Sequence, residues 1–119
     1  MNESMEMYLE TILTLEKEHG HAHSTDIAKS MKVTKPSVTK AMNALKSKGL
    51  INKEKYGTIS LTPKGLAYSE DVYLKHELII EFLMKSLKVS EEVATDNACR
   101  MEHTITEDMF IAVKEYLKR

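Results

Sequence analysis

Residues 34–63 read TKPSVTKAMNALKSKGLINKEKYGTISLTP, and this stretch decides the fold. Thr34 can cap a helix that carries Pro36 in its first turn, where a missing N–H costs nothing, and Gly49 can end that helix. Helical spacing predicts one buried side. The buried positions are Val38, Ala41, Met42 and Leu45. The opposite side of the same helix is short, polar and basic.

Two strands follow this helix and two helices precede it. Residues 50–55 and 58–61 flank a Tyr-Gly turn, which is typical of a β-hairpin. Apolar spacing predicts an amphipathic helix over residues 5–16, and Ser24 or Thr25 can cap a short second helix. The order of helix, short helix, third helix and hairpin is that of a winged helix-turn-helix, whose third helix can enter the major groove of DNA.

The net charge of −1 over 119 residues conceals a basic segment. Residues 29–55 hold eight lysines and one acid, a local charge of +7, whereas the remaining nine basic and 17 acidic residues carry −8. A solvated lysine-rich surface is the ordinary explanation of such an excess. Here the excess coincides with the module that can read DNA, which favours double-stranded DNA as the partner.

The outer side of the third helix and the hairpin supply the candidate DNA contacts. The helix can place small polar groups against base edges, while lysines on the hairpin can meet phosphates. The helix candidates are Thr34, Pro36, Ser37, Thr39 and Lys40. The hairpin candidates are Lys53 and Lys55.

Three further helices are predicted after the hairpin. Thr62 can cap a long helix that reaches Leu87, and Ser90 can cap a fifth helix. Thr104, with an acid three residues later, has capping-box spacing for a last helix. The apolar stripe of that last helix exceeds what a terminal helix needs to cover a small core, so we expect a dimer interface there. The stripe consists of Met109, Phe110, Val113 and Leu117.

Metal-binding side chains recur at helical spacing. Cys99, Glu102 and His103 stand at i, i+3 and i+4 and therefore share one face of the fifth helix. Thiolate, carboxylate and imidazole are common metal ligands. Three more donors occur on the first and fourth helices: Met7, Glu10 and His76. The residues alone leave two interpretations open, a shared metal site or ordinary core and surface positions. The alternating histidines at 19, 21 and 23 are interpreted as a solvated turn.

Four segments resemble one family across nearly the whole chain. They are EMYLETI (6–12), KPSVTK (35–40), KHELI (75–79) and ACRMEH (98–103). They look like the diphtheria toxin repressor family of metal-activated transcriptional repressors, which includes iron-dependent and manganese transport regulators. The resemblance implies a mostly α protein. Its winged helix-turn-helix domain would span residues 1–63, and a helical metal-binding and dimerisation domain would span residues 64–119.

The resemblance also implies a metal site that mixes two patterns. Regulatory ligands of iron-type members are matched by Met7, Cys99, Glu102 and His103. Ligand positions of manganese-type members are matched by Glu10 and His76, and His76 also matches an ancillary ligand of iron-type members. Ile80 and Thr95 stand where iron-type members have the other ancillary ligands, an acid and a histidine. We expect a short form without the β-barrel domain of longer members.

The function expected from this sequence is a homodimeric repressor of a pseudo-palindromic operator that controls metal-ion homeostasis. Thiolate and thioether donors suit softer ions, so Fe(II) is expected over Mn(II), with Co(II), Ni(II) or Zn(II) able to bind in vitro. A manganese-responsive repressor of the same family and an oxidant sensor acting through Cys99 are the alternatives. A metalloenzyme is disfavoured, because no separate base or substrate pocket is evident.

Composition limits the class and the location. Four glycines, two prolines and no tryptophan leave few turn markers, so we do not expect a sandwich of many strands. The single cysteine cannot form an internal disulfide. The sequence contains no run of 18 apolar residues and no signal-peptide pattern at its start, so we expect a cytoplasmic protein that does not enter membranes.

Overall fold

Six α-helices and three short strands are present in residues 3–119, the part of the chain that the computed structural model describes, apart from the side chain of Lys55. The chain divides into two compact units that meet at Glu70 and Asp71, inside the fourth helix. Each unit has its own apolar core. None of the described helices has the length and apolar character that a membrane span requires.

The first unit is a winged helix-turn-helix, as predicted. In chain order its elements are α1 (Glu3–His19), β1 (Ala22–His23), α2 (Ser24–Met31), α3 (Lys35–Ser47), β2 (Ile51–Lys53), β3 (Thr58–Leu61) and the start of α4 (Pro63–Leu87). A single 3-10 turn, Lys55–Gly57, joins β2 to β3. The sheet is antiparallel in the order β1-β3-β2. Its core includes Leu9, Ile27, Met42 and Ile59, all fully buried.

The sequence analysis did not predict strand β1, and the structure corrects it at this point. Ala22 pairs with Ile59 and His23 with Thr58, so the last two residues of the expected solvated turn form a strand. This pairing holds His23 in an extended conformation as the N-cap of α2, without a side-chain cap. Ser24 and Thr25 are therefore inside the helix, and the Ser24 hydroxyl donates to the Gly57 carbonyl at 3.4 Å instead.

The predicted caps of α3 and α4 are confirmed. Thr34 Oγ1 accepts a hydrogen bond from the Ser37 amide at 3.3 Å. Thr62 Oγ1 accepts from the Gly65 amide at 3.0 Å. Gly65 has no room for a side chain, because a Cβ there would overlap the carbonyl oxygen of Leu50. The first two turns of α4 thus lie against the β2 end of the winged unit.

The second unit contains the rest of α4 together with α5 (Glu91–Thr104) and α6 (Glu107–Leu117). Ser90 caps α5 as predicted, and its hydroxyl accepts from the Val93 amide at 3.2 Å. The prediction that Thr104 caps the last helix is wrong. Helix α5 continues to Thr104, whose hydroxyl donates to the Arg100 carbonyl, and Thr106 caps α6.

The apolar stripe of α6 serves mainly the core of its own unit. Phe110 and Val113 are buried in that core, and Leu117 packs against it. Met109 alone of the four predicted positions is largely exposed, at 51%. We expected more apolar side chains on this helix than its own core buries, but the structure leaves only Met109 of the four largely exposed.

Candidate nucleic-acid interface and metal centre

The outer side of α3 carries the predicted DNA contacts at exposed positions. Val38, Met42 and Leu45 are fully buried, which fixes the rotation of the helix and leaves its polar side outward. The exposed residues are Thr34, Pro36, Ser37, Thr39 and Lys40. The structure thus presents all five candidates of this helix on the surface.

Two hydroxyl groups organise the entrance of α3. Thr34 Oγ1 accepts from the Ser37 amide and also lies 2.9 Å from Ser37 Oγ, to which it donates. The Thr34 hydroxyl is therefore committed to the cap. The Ser37 hydroxyl still has its own proton, so it can donate to a base edge or a phosphate.

The hairpin adds a cation and an aromatic residue. Lys53 is partly buried at the end of β2, and the side chain of Lys55 lies outside the described residues. Tyr56 forms the tip and is 96% exposed, with a φ of 67°. Sequence reasoning treated Tyr56 only as part of a turn, although a bulky aromatic residue in a two-residue turn was a visible signal.

Two helices of the second unit bring three ligand-type side chains together. His76 of α4 places Nδ1 2.8 Å from Oε2 of Glu102 on α5. His103 places Nε2 3.0 Å from the other carboxylate oxygen, Oε1. The exposed fractions of the His76, Glu102 and His103 side chains are 16%, 2% and 1%. A buried carboxylate thus lies between two imidazoles.

This geometry fits a divalent cation. Ligand atoms about 2.1 Å from a metal and about 90° apart are separated by about 3.0 Å. The separations at Glu102 are of this size. His76 Nδ1 is buried and makes no hydrogen bond within the described part of the chain, because its short contact with Glu102 lacks hydrogen-bond geometry. A cation bound by both the imidazole nitrogen and the carboxylate would satisfy these two buried polar groups.

The remaining predicted ligands can each be described within their own unit. Cys99 is on α5, one turn before Glu102, and is exposed. Met7 is 42% exposed and Glu10 is partly buried, both on α1 of the first unit. Ile80 packs against the core of the second unit and has no donor atom.

Comparison with known proteins identifies both units. Residues 1–59 match the family model described as the iron dependent repressor, N-terminal DNA binding domain. Residues 62–119 match the model described as the iron dependent repressor, metal binding and dimerisation domain. The two models together cover nearly the whole chain.

Individual relatives agree with this assignment. The chain is 31% identical to an uncharacterized HTH-type transcriptional regulator of Methanocaldococcus jannaschii, covering 100% of this chain and 96% of the relative. It is 37% identical to the HTH-type transcriptional regulator MntR of Bacillus pumilus, covering 87% of this chain and 71% of the relative. The solved manganese regulator SloR superposes with a TM-score of 0.79 at 29% identity, covering 96% of this chain and 53% of its own length. This chain therefore spans about half of that solved structure. The chain belongs to the iron dependent repressor family of metal-dependent transcriptional regulators.

Proposed function

We propose that the chain is a homodimeric repressor that binds a pseudo-palindromic operator when a divalent metal is present. The observation that carries the metal dependence is the buried Glu102 carboxylate between His76 and His103. It lies in the unit that matches the family's metal binding and dimerisation domain. The exposed polar side of α3 supports the DNA part of the proposal.

The proposed ligand set contains six residues. His76, Glu102 and His103 are supported by their mutual distances and burial. For the other three the support is the family resemblance and the chemistry of their donor atoms. These are Met7, Glu10 and Cys99. A bound metal would supply positive charge that offsets the buried carboxylate and would fix the orientations of the two imidazoles.

Fe(II) is the proposed physiological metal and Mn(II) the alternative. Sulfur donors from Cys99 and Met7 favour the softer ion, whereas Glu10 and His76 add donors that Mn(II) also uses. A relative described as a manganese regulator supports the alternative. Co(II), Ni(II) and Zn(II) are expected to bind in vitro for the same reason of ligand type.

Dimerisation follows from the apolar surface of the second unit. Several large apolar side chains of this small unit are exposed, among them Leu87, Val93, Met109 and Ile111. Exposed apolar side chains in such number mark an interaction surface. A two-fold dimer presents two copies of α3, which explains why the operator should be pseudo-palindromic.

The experiment that tests this function selects the operator from a pool of random DNA duplexes with the full-length protein and Mn(II), or Fe(II) under anaerobic conditions. The selected duplex should bind at least 100-fold more tightly with metal than with chelator, and sedimentation should show two protomers on each duplex. Equal affinity with metal and with chelator would contradict the proposal.

Exposure of Cys99 favours a second candidate, an oxidant-sensing regulator. If Cys99→Ser abolishes an oxidant response but keeps metal activation, the redox function is supported. The family consists of transcriptional regulators, and we propose no enzymatic activity for this chain. We propose the cytoplasm as its location, because the proposed partner is operator DNA.

A further inference from the structure

Two histidines follow the turn that ends α1. Gly20 has φ 78°, and its amide donates to the Glu16 carbonyl at 2.8 Å, which ends the helix and starts the segment that leads into β1. His21 and His23 stand on either side of Ala22, which is fully buried. Because side chains alternate along an extended chain, the two imidazoles lie together on the face opposite the core.

The separation of the two rings matches that of a pair that chelates one metal ion. Their centroids are 4.7 Å apart, and their planes are inclined by 70°. An imidazole nitrogen binds a metal at about 2.1 Å, which places the ion about 3.2 Å from the ring centroid. Two such rings at about 90–110° around one ion have centroids about 4.5–5.2 Å apart. Rotation about χ2 can turn the nitrogens toward a common point and leaves the centroids almost unmoved.

Neither imidazole is committed to another polar group in the part of the chain that the structure describes. His21 is exposed and His23 is partly buried, and their side chains interact there only with each other. His19, by contrast, places Nε2 3.7 Å from the Glu18 carboxylate. The ring nitrogens of His21 and His23 are therefore available to a ligand.

The type of ligand selects the class of ion. Imidazole nitrogen suits Zn(II), Cu(II) and Ni(II), whereas Mn(II) is bound best by carboxylates and water. Among the described residues, no carboxylate, thiolate or third imidazole joins the pair to make a group of three. Water would complete the coordination, so the ion would exchange readily.

We propose that His21 and His23 form a second metal site, on the DNA-binding unit, that takes Zn(II), Cu(II) or Ni(II) in preference to Mn(II). It shares no ligand with the proposed centre at Glu102 and does not depend on the proposed repressor function. His23 pairs with Thr58 of β3 and is the N-cap of α2. A bound ion restrains the backbone from His21 to His23 and thereby stabilises this unit.

Nickel titration of the untagged full-length chain tests this site. Glu102→Gln, which should weaken the other centre, is the background in which calorimetry counts the ions that the pair binds. His21→Gln and His23→Gln each remove one imidazole from this background. His19→Gln is the matched control, because it removes a histidine of the same segment that is outside the pair. Thermal unfolding without metal verifies that each variant folds.

We expect His21→Gln and His23→Gln each to weaken Ni(II) binding at least about tenfold, because the second imidazole of a chelating pair binds intramolecularly. His19→Gln should stay within about twofold of the background. In nuclear magnetic resonance spectra of the background chain, paramagnetic Ni(II) should broaden the ring signals of His21 and His23 together. Mn(II), which is also paramagnetic, should leave both signals sharp.

Unchanged Ni(II) affinity after His21→Gln and His23→Gln would overturn the inference. A loss of equal size after His19→Gln would also overturn it, because it would indicate a diffuse histidine-rich surface. Equal broadening by Mn(II) and Ni(II) would contradict the metal preference. These titrations contain no DNA, so their outcome is separate from whether a metal activates operator binding by the wild type.

Discussion

His76 Nδ1 lies 2.8 Å from Oε2 of Glu102, and the direction of this short contact is not that of a hydrogen bond. Helices α4 and α5 thus bring an imidazole nitrogen and a carboxylate oxygen close together. On the other side of the carboxylate, His103 Nε2 approaches Oε1 to 3.0 Å. A divalent cation stabilises such an arrangement, because it receives electron pairs from several ligands at once.

Removing the charge of Glu102 should abolish tight metal binding. We expect Glu102→Gln to weaken Mn(II) affinity by about 100-fold or more, since a ligand contributes at least as much as its supporting partners. Calorimetric titration of the full chain measures this affinity. Glu92→Gln, an exposed position on the same helix, is the control and should bind like wild type. Equal Mn(II) affinity of the two variants would show that Glu102 is not a metal ligand.

Replacing sulfur by oxygen should change the metal preference. We expect Met7→Asp with Cys99→Glu to raise activation of DNA binding by Mn(II) relative to Fe(II), because Mn(II) prefers carboxylate ligands. Anaerobic anisotropy titrations with each metal give the ratio. The control pair, Met7→Leu with Cys99→Ala, removes sulfur without adding oxygen and should weaken activation by both metals. An unaltered ratio, or a wild type activated only by Mn(II), would contradict the role assigned to sulfur.

Lysine substitutions on the DNA-reading surface should lower the salt dependence of binding. We expect Lys40→Ala to weaken operator binding about tenfold and to reduce the slope of log affinity against log salt by about one unit, because one positive charge that releases counterions from DNA is lost. Metal affinity should not change. Lys85→Ala, exposed on the second unit, is the control for a general loss of positive charge. If Lys85→Ala and Lys40→Ala change operator affinity and salt slope equally, Lys40 is not a specific DNA contact.

Alanine at residue 65 should destabilise the protein, although alanine favours a helix more than glycine does, because Gly65 lies close to the Leu50 carbonyl oxygen. Alanine normally stabilises a helix by about 1 kcal/mol relative to glycine. At residue 65 its Cβ would overlap the Leu50 carbonyl oxygen, so we expect Gly65→Ala to lower the free energy of unfolding by about 2 kcal/mol. Urea unfolding measures the difference. Ala67→Gly, at an exposed position in the same helix, should cost only about 1 kcal/mol. A more stable Gly65→Ala variant would show that α4 can move away from Leu50.

The hydrogen bond between Tyr68 and Glu6 should make stability fall at high pH. Burial, together with the hydrogen bond and negative charge of Glu6, raises the pKa of Tyr68 from 10.0 to about 12. The Tyr68 hydroxyl donates to the Glu6 carboxylate at 2.7 Å. Between pH 10 and 12 the unfolded chain loses this proton first, so the free energy of unfolding decreases as pH rises.

The comparison with Tyr68→Phe isolates this contribution from the lysines that titrate in the same range. We expect the wild type to be more stable than Tyr68→Phe below pH 10 and to lose that advantage as the pH approaches 12. Urea unfolding at several pH values measures the difference. A constant difference across this range would mean that Tyr68 ionises alike in the folded and unfolded chains.

Local sequence was sufficient for the helices and for the side that each presents. The apolar spacing of Val38, Met42 and Leu45 placed one side of α3 in the core. Thr34 and Ser90 were predictable caps, because a cap depends on a hydroxyl and an amide only three residues apart. The same local reasoning failed at Thr104, because a second threonine stands two residues later and it is Thr106 that accepts from the Met109 amide.

The sequence by itself therefore determined the winged helix-turn-helix order, the polar side of α3 and the donor types of the metal centre. Only the tertiary structure decided which distant residues meet. Strand β1 exists because Ala22 and His23 pair with β3, whose residues lie more than 30 positions away. The contact between His76 and Glu102 likewise joins two helices across 26 positions. Periodicity and capping act within a few residues, whereas these contacts depend on how the cores bring separate elements together.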